Sequence, residues 1–293
     1  EGATNVVSSL QQQYNDLTSC AVVGNSGTLR GGSRMGLHID HHDIIFRVNQ
    51  APTESDGGFT GDRTIVRMLS PTWVKHYARL DVKRPYSGVL THHPTEQQSH
   101  ARHHDLAAAE EAWLSRMPGA TSKAGTATLP LEHASILVCA LNSNSRGTVH
   151  EDCNHLRSVL RKERPDVRVL QLAAPVETLM RRLIKGWRAR LCAAGRGPYR
   201  GGDHASTGLQ AVYLAVQLCQ RVDIYGFGPN PSTSNAHRAS AYHYFSGLGS
   251  RHVPESFFSW EVEQELLHAM ALEGHLVWNR ANGTVSKPKE NVF

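Results

Sequence analysis

No run of apolar residues in this chain of 293 approaches the ~20 needed to span a bilayer; the longer ones are stretches such as 136–141. Charge is scarce as well. Only 19% of residues are Asp, Glu, Lys or Arg, and the surplus of 31 basic over 26 acidic side chains is spread along the sequence. With no basic stripe interleaved with aromatics, no nucleic-acid partner is expected. The dinucleotide fingerprint G-x-G-x-x-G is also missing, because Gly24 and Gly27 have the wrong spacing, and this argues against an NAD enzyme. Cysteine is limited to five residues, an odd count that fits a partly reduced protein as well as one with disulfides. A glycosylation sequon at Asn282-Gly-Thr284 points, like the cysteines, toward the secretory pathway.

What is present is enough apolar residue, 40%, for a well-buried core. Short β-branched runs at 21–24, 44–49, 64–69, 136–141, 167–172 and 222–225 read as strands. Segments 150–163, 175–192 and 207–220 have helical length, and in the last Leu209, Val212, Val216 and Cys219 fall on one face. Strand and helix alternating in this way predict a mostly parallel sheet flanked by helices. Loops at 54–61, 119–128, 195–204 and 228–240 are long enough to hold a site. No internal repeat or linker divides the chain, so residues 1–293 are expected to form one domain.

The segment Cys20-Ala-Val-Val-Gly-Asn-Ser-Gly-Thr-Leu29 is an apolar strand entering a small-residue turn, where backbone N–H groups can approach a phosphate. It continues into Ile39-Asp-His-His-Asp-Ile-Ile-Phe-Arg-Val-Asn-Gln-Ala-Pro52 and then Gly61-Asp-Arg-Thr64. Together these resemble the long sialylmotif of the eukaryotic sialyltransferases, glycosyltransferase family 29, including the sialyltransferase-like sequences of plants and algae. Residues 201–209, Gly-Gly-Asp-His-Ala-Ser-Thr-Gly-Leu, followed by Arg221-Val-Asp-Ile-Tyr-Gly-Phe-Gly228, resemble the short sialylmotif.

The resemblance implies a GT-A-like α/β fold and an inverting transfer of sialic acid, or a related ulosonic acid such as Kdo, from a CMP-sugar donor to a glycan hydroxyl. It implies no cofactor and no metal, and no Asp-x-Asp pair occurs anywhere in the sequence. Asn25 and Asn49 would contact the donor, with Ser26 and Gly27 lining the phosphate turn. Ser206, Thr207 and Gly208 would contact it from the start of the following helix, where hydroxyls and free N–H groups suit an anion. Plain turn and helix capping accounts for the same residue types.

Family members join a cysteine of the long motif to one late in the short motif, here Cys20 and Cys219; Cys153 and Cys192 are left as a possible second pair. Cys139 reads as a small buried hydrophobe. His38, His41 and His42, with Asp40 and Asp43, have the spacing of a zinc site, but are read as polar residues of the turn into the next strand.

Two histidines follow from the same resemblance. Tyr242-His-Tyr-Phe245 looks like the third motif, which assigns His243 to the donor phosphate. The fourth, H-x4-E, has its candidate glutamates at Glu261 and Glu263, but Ser256 and Phe258 stand where the histidine belongs. His252 is the nearest substitute and is expected to be the base. A catalytically degenerate CMP-sugar-binding protein is the alternative that this departure raises. The chain starts at Glu1, and a membrane anchor before it is expected, as in a type II protein of the Golgi lumen.

Overall fold

The computed structural model describes residues 6–13, 18–30, 33–53, 57–79, 131–140, 148–228, 243–245, 258–280 and 283–286. Eight strands among them form one sheet: β1 (Ser19–Val23), β2 (Ile44–Val48), β3 (Val66–Leu69), β4 (Ile136–Cys139), β5 (Arg168–Gln171), β6 (Arg221–Tyr225), β7 (Val277–Arg280) and β8 (Gly283–Val285). Their order is β5-β4-β3-β2-β1-β6-β7-β8, parallel throughout except for the antiparallel β7–β8 pair. The first six are the strands the sequence predicts; β7 and β8 are additions. Strands β2, β3 and β4 are buried at every position, which is why they read as mostly apolar instead of alternating, with the buried Arg47 and Arg67 as the exceptions.

The described helices are α1 (Val6–Gln13), α2 (Gly36–Asp40), α3 (Gly57–Thr60), α4 (Pro71–Arg79), α5 (Thr148–Glu163), α6 (Ala174–Ala193), α7 (Thr207–Leu218) and α8 (Trp260–Leu272). On one face of the sheet Val22, Phe46, Met68 and Val138 pack with Leu209, Val212 and Leu214 of α7 and Val262 and Leu266 of α8. The opposite face is covered in two patches. Ala21, Val23 and Ile45 lie under Ile39, Tyr244 and Phe245, while Leu137 and Cys139 lie under Trp73 and Tyr77 of α4 and Leu156 of α5. Helix α7 is buried on a wider front than one stripe, since Gln210, Ala211 and Ala215 are enclosed too. It is sandwiched between the sheet and α1, and a helix apolar nearly all round belongs in such a place.

Cys20 of β1 is bonded to Cys219, just after α7, across a sequence separation of 199. The other cysteines correct the sequence reading. Cys139 is bonded to Cys153 of α5, and Cys192 is free and exposed near the end of α6. The reason is packing: α5 lies against α4 and β5, next to β4, bringing the two Cα atoms to 6.2 Å, within disulfide reach. No described helix is long and apolar enough to cross a membrane.

Candidate active site

From β1 the chain builds the sheet outward through β2, β3, β4 and β5, then returns to place β6 on the other side of β1. The order therefore reverses between β1 and β6, and in open α/β sheets the crevice beyond the carboxyl ends at that point is where ligands bind. The turns leaving β1 and β6 form its floor, and they interlock. Gly24 N–H donates to Tyr225 O (2.7 Å) and Ser26 N–H to Gly226 O (3.0 Å). Gly226 has φ +66°, and a Cβ there would stand 2.7 Å from Gly24 O, so both the conformation and the approach demand glycine.

Phe227 is the residue that gathers the motifs. A Cβ on Gly24 would lie 3.3 Å from its ring and one on Gly208 3.1 Å, so the ring sits between the β1 turn and the start of α7. The third motif hangs on the same turn, because Tyr244 N–H donates to Asn25 O (2.9 Å). The structure thus brings Asn25, Ser26, Gly27, Gly208 and His243 to one end of the sheet.

Asn25 places its Nδ2 3.4 Å from Val48 O, and its buried Oδ1 has no hydrogen-bond partner among the described residues. Ser26 Oγ accepts from Thr28 N–H (3.2 Å) and Thr28 hydroxyl (3.0 Å), closing the short 3-10 turn Gly27–Arg30. Asn49 is the pivot leaving β2. It adopts φ +54°, its Oδ1 accepts from Ser70 N–H (2.8 Å), and its carbonyl accepts from the buried Arg67 (2.7 Å). Its side-chain oxygen therefore serves the fold. Among the described residues no hydrogen bond engages its Nδ2.

At the start of α7 the structure separates Ser206 from Thr207. Ser206 is the N-cap, its Oγ accepting from Leu209 N–H (3.1 Å), and it is also tied to Glu263 of α8. Its hydroxyl donates to Glu263 Oε2 (2.6 Å) and its N–H to Oε1 (2.7 Å). The hydroxyl proton is thereby committed to Glu263, so Ser206 holds the helix in place, and the N–H groups of Thr207 and Gly208 precede the first intrahelical bond. Burial pushes the Glu263 carboxyl up to about 7, against the pull of the two Ser206 donors. The pairing also distinguishes the two glutamates of the motif, since it is Glu263, not Glu261, that is locked to the start of α7.

His243 stacks on Phe245 with ring centroids 5.0 Å apart, and burial lowers its imidazole to about 4, so it is neutral at pH 7. The three histidines of the zinc-like spacing point to separate partners. His38 Nδ1 meets Tyr225 hydroxyl (2.6 Å), His41 Nδ1 meets Leu37 O (2.5 Å), and His42 lies between the carbonyl of His38 (3.0 Å) and buried Asp223 (3.3 Å). Burial alone would raise the Asp223 carboxyl, but hydrogen bonds from His42 and Arg221 hold it at about 2. His252, Tyr242 and Asn282 lie outside the described residues. Phe227 and the Glu263–Ser206 tie were not singled out from sequence; the cue for the first was its place in Tyr-Gly-Phe-Gly after a buried strand, and the second had none short of the tertiary fold.

Comparison with protein families matches residues 3–99 and 135–280 to Glycosyltransferase family 29 (sialyltransferase). CMP-N-acetylneuraminate-beta-galactosamide-alpha-2,3-sialyltransferase 2 of Mus musculus is 24% identical over 258 residues, covering 88% of this chain and 53% of its own. Sialyltransferase-like protein 3 of Oryza sativa subsp. indica is 27% identical over 259 residues, covering 84% of this chain and 54% of its own. The chain thus spans about half the length of the curated relatives it matches. Among solved structures, that of a mammalian sialyltransferase in complex with Gal-beta-1-3GalNAc-ortho-nitrophenol aligns with a TM-score of 0.50 at 16% identity, covering 92% of this chain and 72% of that one, a likeness of fold. With the family match extending over most of the sequence and the motifs converging on one crevice, the chain belongs to glycosyltransferase family 29, the sialyltransferase family.

Proposed function

We propose that this protein is an inverting glycosyltransferase that moves sialic acid, or a related ulosonic acid such as Kdo, from a CMP-sugar to a glycan hydroxyl, without a metal. The observation that carries this reading is the crevice between β1 and β6, where Phe227 joins the β1 turn, whose buried Asn25 Oδ1 has no partner among the described residues, to the start of α7 with its N-terminal N–H groups. A buried acceptor left unpaired costs ~1–3 kcal/mol, which a nucleotide hydroxyl or amine recovers on binding. The N–H groups of Thr207 and Gly208 and the positive end of α7 suit the phosphate. The small turn at Ser26 and Gly27 leaves room for the phosphate to approach the backbone, and Asn49 faces the same end of the sheet.

In the reaction the acceptor oxygen bonds to the anomeric carbon from the side opposite CMP, and the bond from that carbon to the phosphate oxygen breaks. CMP leaves with the electron pair. His243, neutral at pH 7, donates an N–H to the departing phosphate and becomes easier to protonate as that charge arrives. The name of the mouse relative supports this choice of partners, a CMP-N-acetylneuraminate donor and a β-galactosamide acceptor. The two disulfides suit an oxidising compartment, and the Golgi lumen, reached through an N-terminal anchor, is part of the proposal.

A second reading, a CMP-sugar-binding protein without turnover, draws on Phe258, an apolar residue five positions before Glu263. Incubation with CMP-N-acetylneuraminate or CMP-Kdo and a β-galactoside in EDTA separates the two. The proposal predicts a glycosidic product of inverted anomeric configuration. CMP binding with no product from either donor would establish the second reading.

A further inference from the structure

Along the whole sequence the basic surplus is spread, yet its largest local excess falls on one helix. Residues 174–200, α6 and the loop after it, hold seven Lys and Arg side chains against one acid, Glu177. That excess is larger than the net +5 of the whole chain, so the remainder of the molecule is close to neutral. Packing then divides the helix. Met180, Ile184 and Leu191 turn inward, and Glu177 lies on the same side, 3.8 Å from His204 Nδ1. Arg181 and Lys185 clamp Asp203 (3.1 and 2.9 Å), and Arg188 donates to Gly202 O, so these three fasten the loop that follows.

The outward face is a different set. Leu179, Arg182, Leu183, Gly186 and Arg190 have the i, i+3, i+4, i+7, i+11 spacing of one helical stripe, and all five are exposed. Leu179 is 48% exposed and Leu183 38%, two of the four large apolar residues that stand out from the described surface. A Cβ on Gly186 would meet nothing within 4 Å, so the middle of the stripe is open. Among the described residues no acidic side chain pairs with Arg182 or Arg190, and the stripe itself contains none. Single exposed leucines are ordinary, but two on one face between unpaired guanidinium groups form an amphiphilic surface.

Three kinds of occupant differ in how they meet this surface. A second copy of the chain would bring the same positive face against this one, and like charges repel. An acidic polymer would neutralise the arginines and leave the leucines in water. A bilayer with acidic headgroups satisfies both, since the headgroups take the guanidinium groups while the leucines and the arginine stems reach the edge of the acyl region. We propose that the outward face of α6 is a membrane-docking surface for acidic lipid headgroups, with Leu179 and Leu183 entering the interface. None of these side chains belongs to the crevice between β1 and β6, so docking is measured independently of the transfer reaction.

Cosedimentation of the whole chain with vesicles tests this, comparing phosphatidylcholine alone with phosphatidylcholine containing about a third phosphatidylglycerol. The acidic vesicles are expected to bind at least ~10-fold more tightly, the difference shrinking as salt is raised. Arg182→Gln with Arg190→Gln should weaken that binding ~10-fold, and Leu179→Ser with Leu183→Ser ~5-fold. Arg161→Gln with Lys162→Gln, at two exposed positions of α5, should change it less than ~2-fold. Melting temperatures, expected to be unchanged, identify any loss that comes from unfolding. Equal binding to both kinds of vesicle overturns the assignment, and so does an equal loss in the α5 and α6 arginine variants, because the attraction is then diffuse charge. Binding unchanged by the leucine pair also overturns it: the face then attracts any polyanion, and polygalacturonate would displace the chain from the vesicles.

Discussion

Glu263 and His243 are the two titrating groups whose burial bears on the site, and they act on stability with opposite signs. The Glu263 carboxyl, at about 7 in the folded protein against an ordinary 4.5, holds its proton more tightly folded than unfolded. Its contribution is therefore full below about 4.5 and is lost as pH rises through about 7. His243, at about 4 against 6.5, is the reverse, its contribution full above about 6.5 and lost as pH falls through about 4. Between about 4.5 and 6.5 the two slopes oppose each other. Glu263→Gln removes one of them. The gain in unfolding free energy on going from pH 5 to pH 7.5, read from denaturant titrations, is expected to be about 2 kcal/mol larger in the variant than in the unmodified protein. Equal pH dependence in the two proteins would mean that Glu263 is ionised throughout this range. Sequence reasoning reached this pair only halfway. Spacing offered Glu261 and Glu263 alike, and the choice between them depends on which carboxylate faces Ser206, a matter of how α8 packs on α7.

At the scale of elements, the strands were legible where burial on both faces leaves an apolar run, as in Ile136–Cys139 and, broken only by Arg47, Ile44–Val48. Strand β7, Val-Trp-Asn-Arg, was not, because half of it is polar and it lies near the sheet edge, between β6 and the three-residue strand β8. Helix α8 does carry the spacing of a buried face in Val262, Leu266, Leu267 and Ala271, but Glu263 interrupts that face with a charge-bearing group that only Ser206 explains. Cysteine pairing failed for a similar reason. The apolar setting of Cys139 was read correctly as burial, yet its partner depends on how α5 packs against α4 and β5. Opening that bridge with Cys139→Ala and Cys153→Ala together frees a loop of 14 residues' separation and should destabilise the protein by ~3 kcal/mol in the chain-entropy account. Because β4 lies three strands from β1, CMP affinity should hold. A fall in CMP affinity without loss of stability would show that the bridge shapes the crevice.

At the scale of the whole molecule, the alternation of strands and helices announced a parallel sheet, but the strand order, and with it the place of the crevice, is a property of the folded chain. The long and short motifs lie some way apart in sequence and meet because β6 returns to the side of β1, where the Cys20–Cys219 bond joins them again. The function proposed for this protein depends on that crevice taking CMP. The deciding measurement is a calorimetric titration of the chain with CMP, CDP, UDP and NAD, with and without EDTA. Binding of CMP in preference to UDP and NAD, with the same affinity in EDTA, is the predicted result. Preference for UDP in the presence of a divalent metal, or for NAD, would contradict it.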